Sequence, residues 1–116
     1  MLTLYGIANC DSCRKARKYL DALQVSYRFH DLRADGLEAD LIRDWLDALG
    51  SEALVNRRST SWRRLTEADR ARADGPDLPG LLMQHPTLVK RPLLHGGRTC
   101  IAGFDEQGYR QLARTQ

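Results

Sequence analysis

Cys10 and Cys13 form a C-x-x-C pair that follows a short apolar stretch. From Cys13 onward, apolar residues recur at Ala16, Tyr19, Leu20 and Leu23, the spacing of one helical face. Arg14, Lys15, Arg17, Lys18 and Asp21 occupy the opposite face. Cys10 is therefore expected at a helix N-terminus, with Cys13 one turn along on the same side. Unpaired N–H groups and the helix dipole stabilise a thiolate at the first of these positions, which creates a nucleophile near neutral pH. Cys13 is within reach to resolve a mixed disulfide by attacking Cys10. Two other uses of such a pair are buried structural thiols and half of a zinc site. Zinc would need two more ligands, and the sequence has no second C-x-x-C and no H-x3-H. His30, His85, His95 and Cys100 are scattered singly. No metal is expected, and Cys100 reads as a small packed residue in a strand hairpin.

Arg91-Pro92 is the second informative pair. Proline opening a strand lacks a ladder N–H and restrains the residue before it. A cis bond would bend the chain and leave the Arg91 backbone open for pairing, whereas a trans proline at a strand edge is the ordinary alternative. A guanidinium beside a thiolate lowers the thiol pKa and binds an anionic group of a substrate. Arg57, Arg58, Arg63, Arg64, Arg70 and Arg72 make the middle of the chain its most basic region. These are expected mainly as solvated charges interspersed with Glu67, Asp69 and Asp74. Trp45 and Trp62 read as core or lid residues.

The elements that must position these groups follow from the pattern. Leu2–Tyr5 and Tyr27–His30 alternate as short strands on either side of the cysteine helix, a βαβ unit with a parallel pair. A helix is predicted over Leu37–Leu49, ended by Gly50, with shorter pieces around Ala53–Val55 and Leu65–Ala73. A breaker cluster at Gly75–Gly80 precedes a short helix beginning at Leu81 and ending before Pro86. Leu93–His95 and Thr99–Ala102 flank Gly96-Gly97 as a hairpin, and Asp105 is placed to cap a last helix running to Ala113. The reading is a single α/β domain over 1–116 with the thioredoxin-like order βαβ–ββα. A helical subdomain is inserted at about 34–86.

Composition sets the outer limits. The chain has 116 residues, 42% hydrophobic and 28% charged, the mix of an ordinary globular domain rather than a disordered one. No uncharged stretch approaches the ~20 residues of a membrane helix, and no basic leader opens the sequence, so a soluble cytoplasmic protein is expected. Eighteen Lys and Arg against fifteen Asp and Glu leave a formal +3. That is too mild and too dispersed to indicate direct nucleic-acid binding. A monomer is the default for so small a chain.

Gly6-Ile7-Ala8-Asn9-Cys10-Asp11-Ser12-Cys13-Arg14-Lys15-Ala16-Arg17 resembles the opening of the glutaredoxin-linked arsenate reductase family, which includes the Spx regulators and the small YffB-like proteins. The segments Leu54–Leu65, His85–Leu94 and Ala102–Glu106 resemble its later motifs in order, so the likeness spans almost the whole chain. The resemblance implies a thioredoxin-like fold in which a cis Pro92 faces the nucleophile Cys10 and Arg91 is an active-site arginine. Arsenate reductases place three arginines around the cysteine. Here only Arg91 is matched, with Asn56 and Ile101 standing where the others would fall and Arg57, Arg58 and Arg98 close by. Spx members carry a C-x-x-C switch and a glycine at the position of Gly50 that helps them dock on RNA polymerase, but they continue past the last helix with a charged extension.

Length and the Asn56–Trp62 segment fit the YffB-like subgroup best. For that subgroup the resemblance implies a glutathione-dependent thiol reductase with no bound cofactor. The alternatives are an arsenate reductase using glutathione and glutaredoxin, and a redox-sensing regulator of RNA polymerase. The residues expected to act are Cys10, Cys13 and Arg91. Arg58, Arg91, Pro92, Arg98 and Gly103 are expected to bind substrate, with N–H groups near Gly103 and Asp105 receiving a carboxylate such as that of glutathione.

Overall fold

The computed structural model describes residues 1–115. The chain divides into two compact units, Met1–Asp35 with the stretch from Arg91 onward, and Gly36–Lys90 between them.

In the first unit, β1 (Leu2–Gly6) leads to α1 (Asp11–Ala22), β2 (Tyr27–Asp31) and the single turn α2 (Leu32–Asp35). After the inserted unit come β3 (Leu93–Gly96), β4 (Thr99–Ala102) and the closing α8 (Glu106–Arg114). The sheet order is β2-β1-β3-β4. β1 and β2 are parallel, with Leu2 opposite Tyr27. β3 is antiparallel to both of its neighbours, pairing Tyr5 with Leu93 and Leu93 with Ala102. This is the thioredoxin-like plan, and it places the C-terminal end of β1 beside the start of β3 and the end of β4. Cysteine chemistry set after β1 therefore meets Arg91-Pro92 and Gly103 at one end of the sheet.

Periodicity explains the core. Leu2 and Leu4 share one face of β1, and α1 lays Ala16 and Leu20 on it while α8 adds Tyr109 and Leu112. Phe104 bridges the two helices edge-on, with ring centroids 5.8 Å from Tyr19 and 5.4 Å from Tyr109. The side chain of Asp105 caps α8 by accepting from the Gly108 N–H at 3.2 Å, as its position in the sequence predicts.

The hairpin turn differs from expectation by one residue. Gly96 stays in the ladder opposite Thr99, so the two-residue turn is Gly97-Arg98. Gly97 takes φ +59, the conformation required at the first position of such a turn. Side-chain packing selects this register: it sets Leu94 opposite Ile101, and both pack into the core. A one-residue slip would turn one of them outward.

The second unit holds α3 (Ala39–Leu49), α4 (Ser51–Leu54), α5 (Thr60–Arg63), α6 (Glu67–Arg72) and α7 (Leu78–Gln84), then a 3-10 turn at Pro86–Leu88. Buried Ile42, Trp45, Leu54, Leu81, Leu82 and Leu88 form its interior, so Trp45 is a core residue. α3 begins two residues later than predicted, because Glu38 is its N-cap and stays extended at φ −103 and ψ 149. α7 begins three residues earlier than predicted. Pro79 lies in its first turn, where a missing N–H costs nothing, so the end of the breaker cluster starts the helix. Gly50 joins α3 to α4 at φ +80 and ψ 162, a region that essentially only glycine occupies. The single-turn α5 had no periodic signature; Ser59 starts it by accepting from the Trp62 N–H at 3.1 Å.

The basic middle of the chain is less solvated than its composition suggests. Arg57 pairs with Asp74 at 3.1 Å and lies 4.9 Å from the Trp62 ring centroid. Arg70 donates to the carbonyl of Arg63 at 2.8 Å, and Arg72 joins Asp69, Asp77 and Gln84. Arg57, Arg58, Arg63 and Arg64 are exposed, as expected of solvated charges. Among the described residues, no helix is long and apolar enough to cross a membrane.

Truncating Leu20, fully buried where α1 meets the sheet, is expected to cost about 2–5 kcal/mol of stability. Urea unfolding of Leu20→Ala, with the slope of the transition unchanged, checks it.

Candidate functional site

The site starts where β1 ends. After Gly6 the chain turns at Ala8-Asn9 and enters α1 with Cys10 as the N-cap, in extended geometry at φ −138 and ψ 122. The Cys10 carbonyl accepts the first helical bond, from the Arg14 N–H at 2.9 Å. Its sulfur faces the N–H groups of the first turn, and that of Cys13 acts on it directly. Cys13, one turn on, is directed inward and is 1% exposed, whereas Cys10 is half-buried at the surface.

Burial matters differently for the two thiols. Burial alone would raise the Cys10 pKa, but the Cys13 N–H, the Cys13 thiol and the Arg91 guanidinium together bring it below its ordinary value. Burial pushes Cys13 up to about 11, aided by the Cys10 sulfur and only partly offset by a backbone bond from Ile7. The pair is thus polarised, with the charge favoured on the exposed sulfur and the proton on the buried one.

Gly6 contributes by having no side chain. A Cβ built there would lie 2.6 Å from Cys13 Sγ, closer than non-bonded atoms approach, and 3.5 Å from a ring carbon of Phe29. In the sequence Gly6 stands out only as the first residue of the family-like segment. Its role depends on α1 folding back over β1, which no local pattern encodes.

The partners come from the other end of the chain. The Arg91–Pro92 bond is cis, as expected. Leu93 pairs with Tyr5, so Arg91 arrives beside the cysteines and acts on Cys10 by both hydrogen bonding and charge. The Gly103 N–H donates to the Pro92 carbonyl at 2.7 Å. Gly103 takes φ +86, and its own carbonyl accepts from the Tyr109 hydroxyl at 3.1 Å. Cys10, Cys13, Arg91, Pro92 and Gly103 are therefore gathered at one end of the sheet.

The Gly103 N–H, expected to receive a substrate carboxylate, is donated to the Pro92 carbonyl. The α8 N-terminus likewise holds the carboxylate of Asp105, which disfavours a second anion there. Arg98 lies in the β3–β4 turn, at the opposite end of β3 from Pro92 and about 13 Å along the strand. It is not part of the cysteine cluster. Arg58 belongs to the helical unit, where it lines an open concavity of about 680 Å³ with Glu52, Val55, Asn56, Arg57, Asp74 and Lys90. Cys100 is half-buried in β4 opposite His95, outside the cluster. Among the described residues, no group of three or more His, Cys, Asp or Glu side chains converges to hold a metal.

The chain is similar to known proteins over most of its length. The ArsC family model matches residues 5–112. An uncharacterised protein of Haemophilus influenzae is 38% identical over 109 residues, spanning 94% of this chain and 96% of its own. A global transcriptional regulator Spx of Streptococcus pyogenes is 30% identical over 112 residues, spanning 95% of this chain and 83% of that protein. The solved structure of a YffB protein superposes with a TM-score of 0.87 at 34% identity, covering 97% of this chain and 99% of that one. An arsenate reductase (ArsC) related protein from Brucella melitensis gives a TM-score of 0.72 at 35% identity, covering 95% and 92%.

Two variants test the geometry. Gly6→Ala should destabilise the protein by about 1–3 kcal/mol and open Cys13 to alkylation under native conditions. Arg91→Ala should leave the fold intact and raise the pH at which Cys10 alkylation reaches half its maximal rate. The rate follows the thiolate, so the loss should be largest at low pH and vanish once both proteins are fully deprotonated.

Proposed function

The chain belongs to the ArsC family, and from that premise we propose that it is a cytoplasmic thiol–disulfide oxidoreductase that uses Cys10 as nucleophile and glutathione as reductant. The observation that carries this reading is the polarised cysteine pair: a surface thiol with lowered pKa over a buried one raised to about 11. In the proposed reaction, the Cys10 thiolate attacks the glutathionyl sulfur of a mixed disulfide. The old S–S bond breaks, its electron pair leaves with the substrate thiolate, and water protonates that thiolate. The thiolate of a second glutathione then attacks the glutathionyl sulfur held by Cys10, forming oxidised glutathione and returning Cys10 as a thiolate.

Arg91 serves this scheme twice. Its guanidinium stabilises Cys10 as the attacking group and again as the leaving group of the second step. Cys13 suits the role of resolving thiol poorly, because burial keeps its proton on at neutral pH and hides its sulfur. Its N–H and S–H instead favour the charged form of Cys10. Within the helical unit, Arg58 is the anion-binding candidate, since it is exposed and lines that unit's concavity with Lys90.

The two rival readings have less support. Arsenate reduction would call on a set of arginines, and of the arginines in the cysteine-bearing unit it is Arg91 that acts on Cys10 while Arg98 lies at the far end of the sheet. A regulator docking on RNA polymerase through Gly50 meets a simpler account of that glycine, which its backbone dihedrals require in any case.

Mapping each cysteine by mass spectrometry after exposure to oxidised glutathione tests the reading. A glutathione adduct on Cys10 is expected, absent in Cys10→Ser. Turnover with glutathione should survive in Cys13→Ser within roughly a few-fold. Equal, ordinary alkylation of all three thiols would end the nucleophile reading. A collapse of Cys13→Ser would transfer the resolving role to Cys13.

A further inference from the structure

Tyr109 is fully buried in α8, among the apolar side chains of the core. Its aromatic ring packs edge-on against Phe104, and an apolar residue of similar size would fill that space equally well. Its hydroxyl, by contrast, is directed at the Gly103 carbonyl, to which it donates at 3.1 Å. Gly103 is the residue whose N–H holds the Pro92 carbonyl at 2.7 Å, and Pro92 follows Arg91. The hydroxyl is thus the first of two hydrogen bonds that tie the core, through Gly103, to the carbonyl of Pro92, the residue bonded to Arg91.

The loop needs such an anchor. Gly103 follows the end of β4 and sits at φ +86, where the strand ladder no longer fixes the backbone. Asp105 caps its own helix and leaves the Gly103 carbonyl to Tyr109. With its N–H on Pro92 and its C=O on Tyr109, Gly103 has the peptide planes on both sides of its Cα fixed, and the first of them bears on where Pro92 and Arg91 lie.

We propose that Tyr109 is a positioning residue for the cysteine site, whose hydroxyl fixes Gly103 and, through the Pro92 carbonyl, the placement of Arg91 against Cys10. The inference rests on the thiolate reading of Cys10 given above. The charged and titratable groups that act on Cys10 are Cys13 and Arg91, and those that act on Tyr109 are Cys13 and Asp105. The Tyr109 hydroxyl is itself held protonated by burial, so it acts as a donor throughout the working range.

Tyr109→Phe keeps the ring and removes only the donor. Its Cys10 is expected to react with iodoacetamide roughly threefold or more slowly than wild type at about pH 6 and at nearly the same rate at high pH, because less of it is ionised. Leu112→Ala loosens the same core without touching the hydrogen-bond chain, so it should lower the melting temperature yet leave the Cys10 pH profile in place. The inference is overturned if Tyr109→Phe folds with a wild-type profile, or if Leu112→Ala shifts the profile as much. It is also overturned, without any variant, if the Gly103 amide of the wild type exchanges with solvent as fast as an open loop. A wild-type Cys10 that titrates as an ordinary thiol would instead defeat the thiolate reading itself, which keeps the two failures distinct.

Discussion

The packing of Cys13 against Gly6 is the constraint on which the cysteine site depends. Cys13 Sγ occupies the space that any larger residue at position 6 would fill, so the first turn of α1 can lie directly on the end of β1. That contact sets the height and rotation of the helix, and with them the position of Cys10 at its N-cap. The buried thiol is thus first a packing element: it costs little to bury while protonated, and burial keeps it protonated. Its neighbour gains the opposite character from the same arrangement, since the helix N-terminus and Arg91 act on a sulfur that remains near the surface.

This division of labour bears on the chemistry proposed for the pair. A C-x-x-C sequence suggests two interchangeable redox partners, yet the fold treats its members unequally. One is half-exposed and biased toward the thiolate; the other is almost wholly enclosed and biased toward the thiol. In the proposed cycle the incoming glutathione needs access to only one sulfur, and the buried one contributes by its dipoles. The arginines divide in a similar way. Arg91 is brought to Cys10 by the pairing of β3 with β1, while Arg57, Arg70 and Arg72 have carboxylate or carbonyl partners inside the helical unit and serve its structure.

Much of the architecture was legible in the sequence. Apolar alternation marked β1 and β2, and the spacing of Cys13, Ala16 and Leu20 marked the buried face of α1. Asp105 announced α8. These features are local, and the periods of strand and helix encode them directly. Where the structure departs from this reading, one cause is a distant contact and the other a local accommodation. The hairpin turn moved to Gly97-Arg98 because Leu94 and Ile101 both had to face the core. α7 started early because Pro79 was accommodated in its first turn.

The sequence by itself determined the order of elements, the C-x-x-C pair at a helix start, and an arginine-proline step opening a strand. Tertiary structure decided which of these meet. It brought Arg91 to Cys10 and left Arg98 at the other end of the sheet, although both lie close to β3 in the sequence. It turned the Gly103 N–H toward Pro92 rather than toward a ligand, and gave Tyr109 a carbonyl to hold. The reason is physical: helix and strand periods are written within a few residues. A hydrogen bond or a van der Waals limit between segments far apart along the chain exists only once the sheet has set their register.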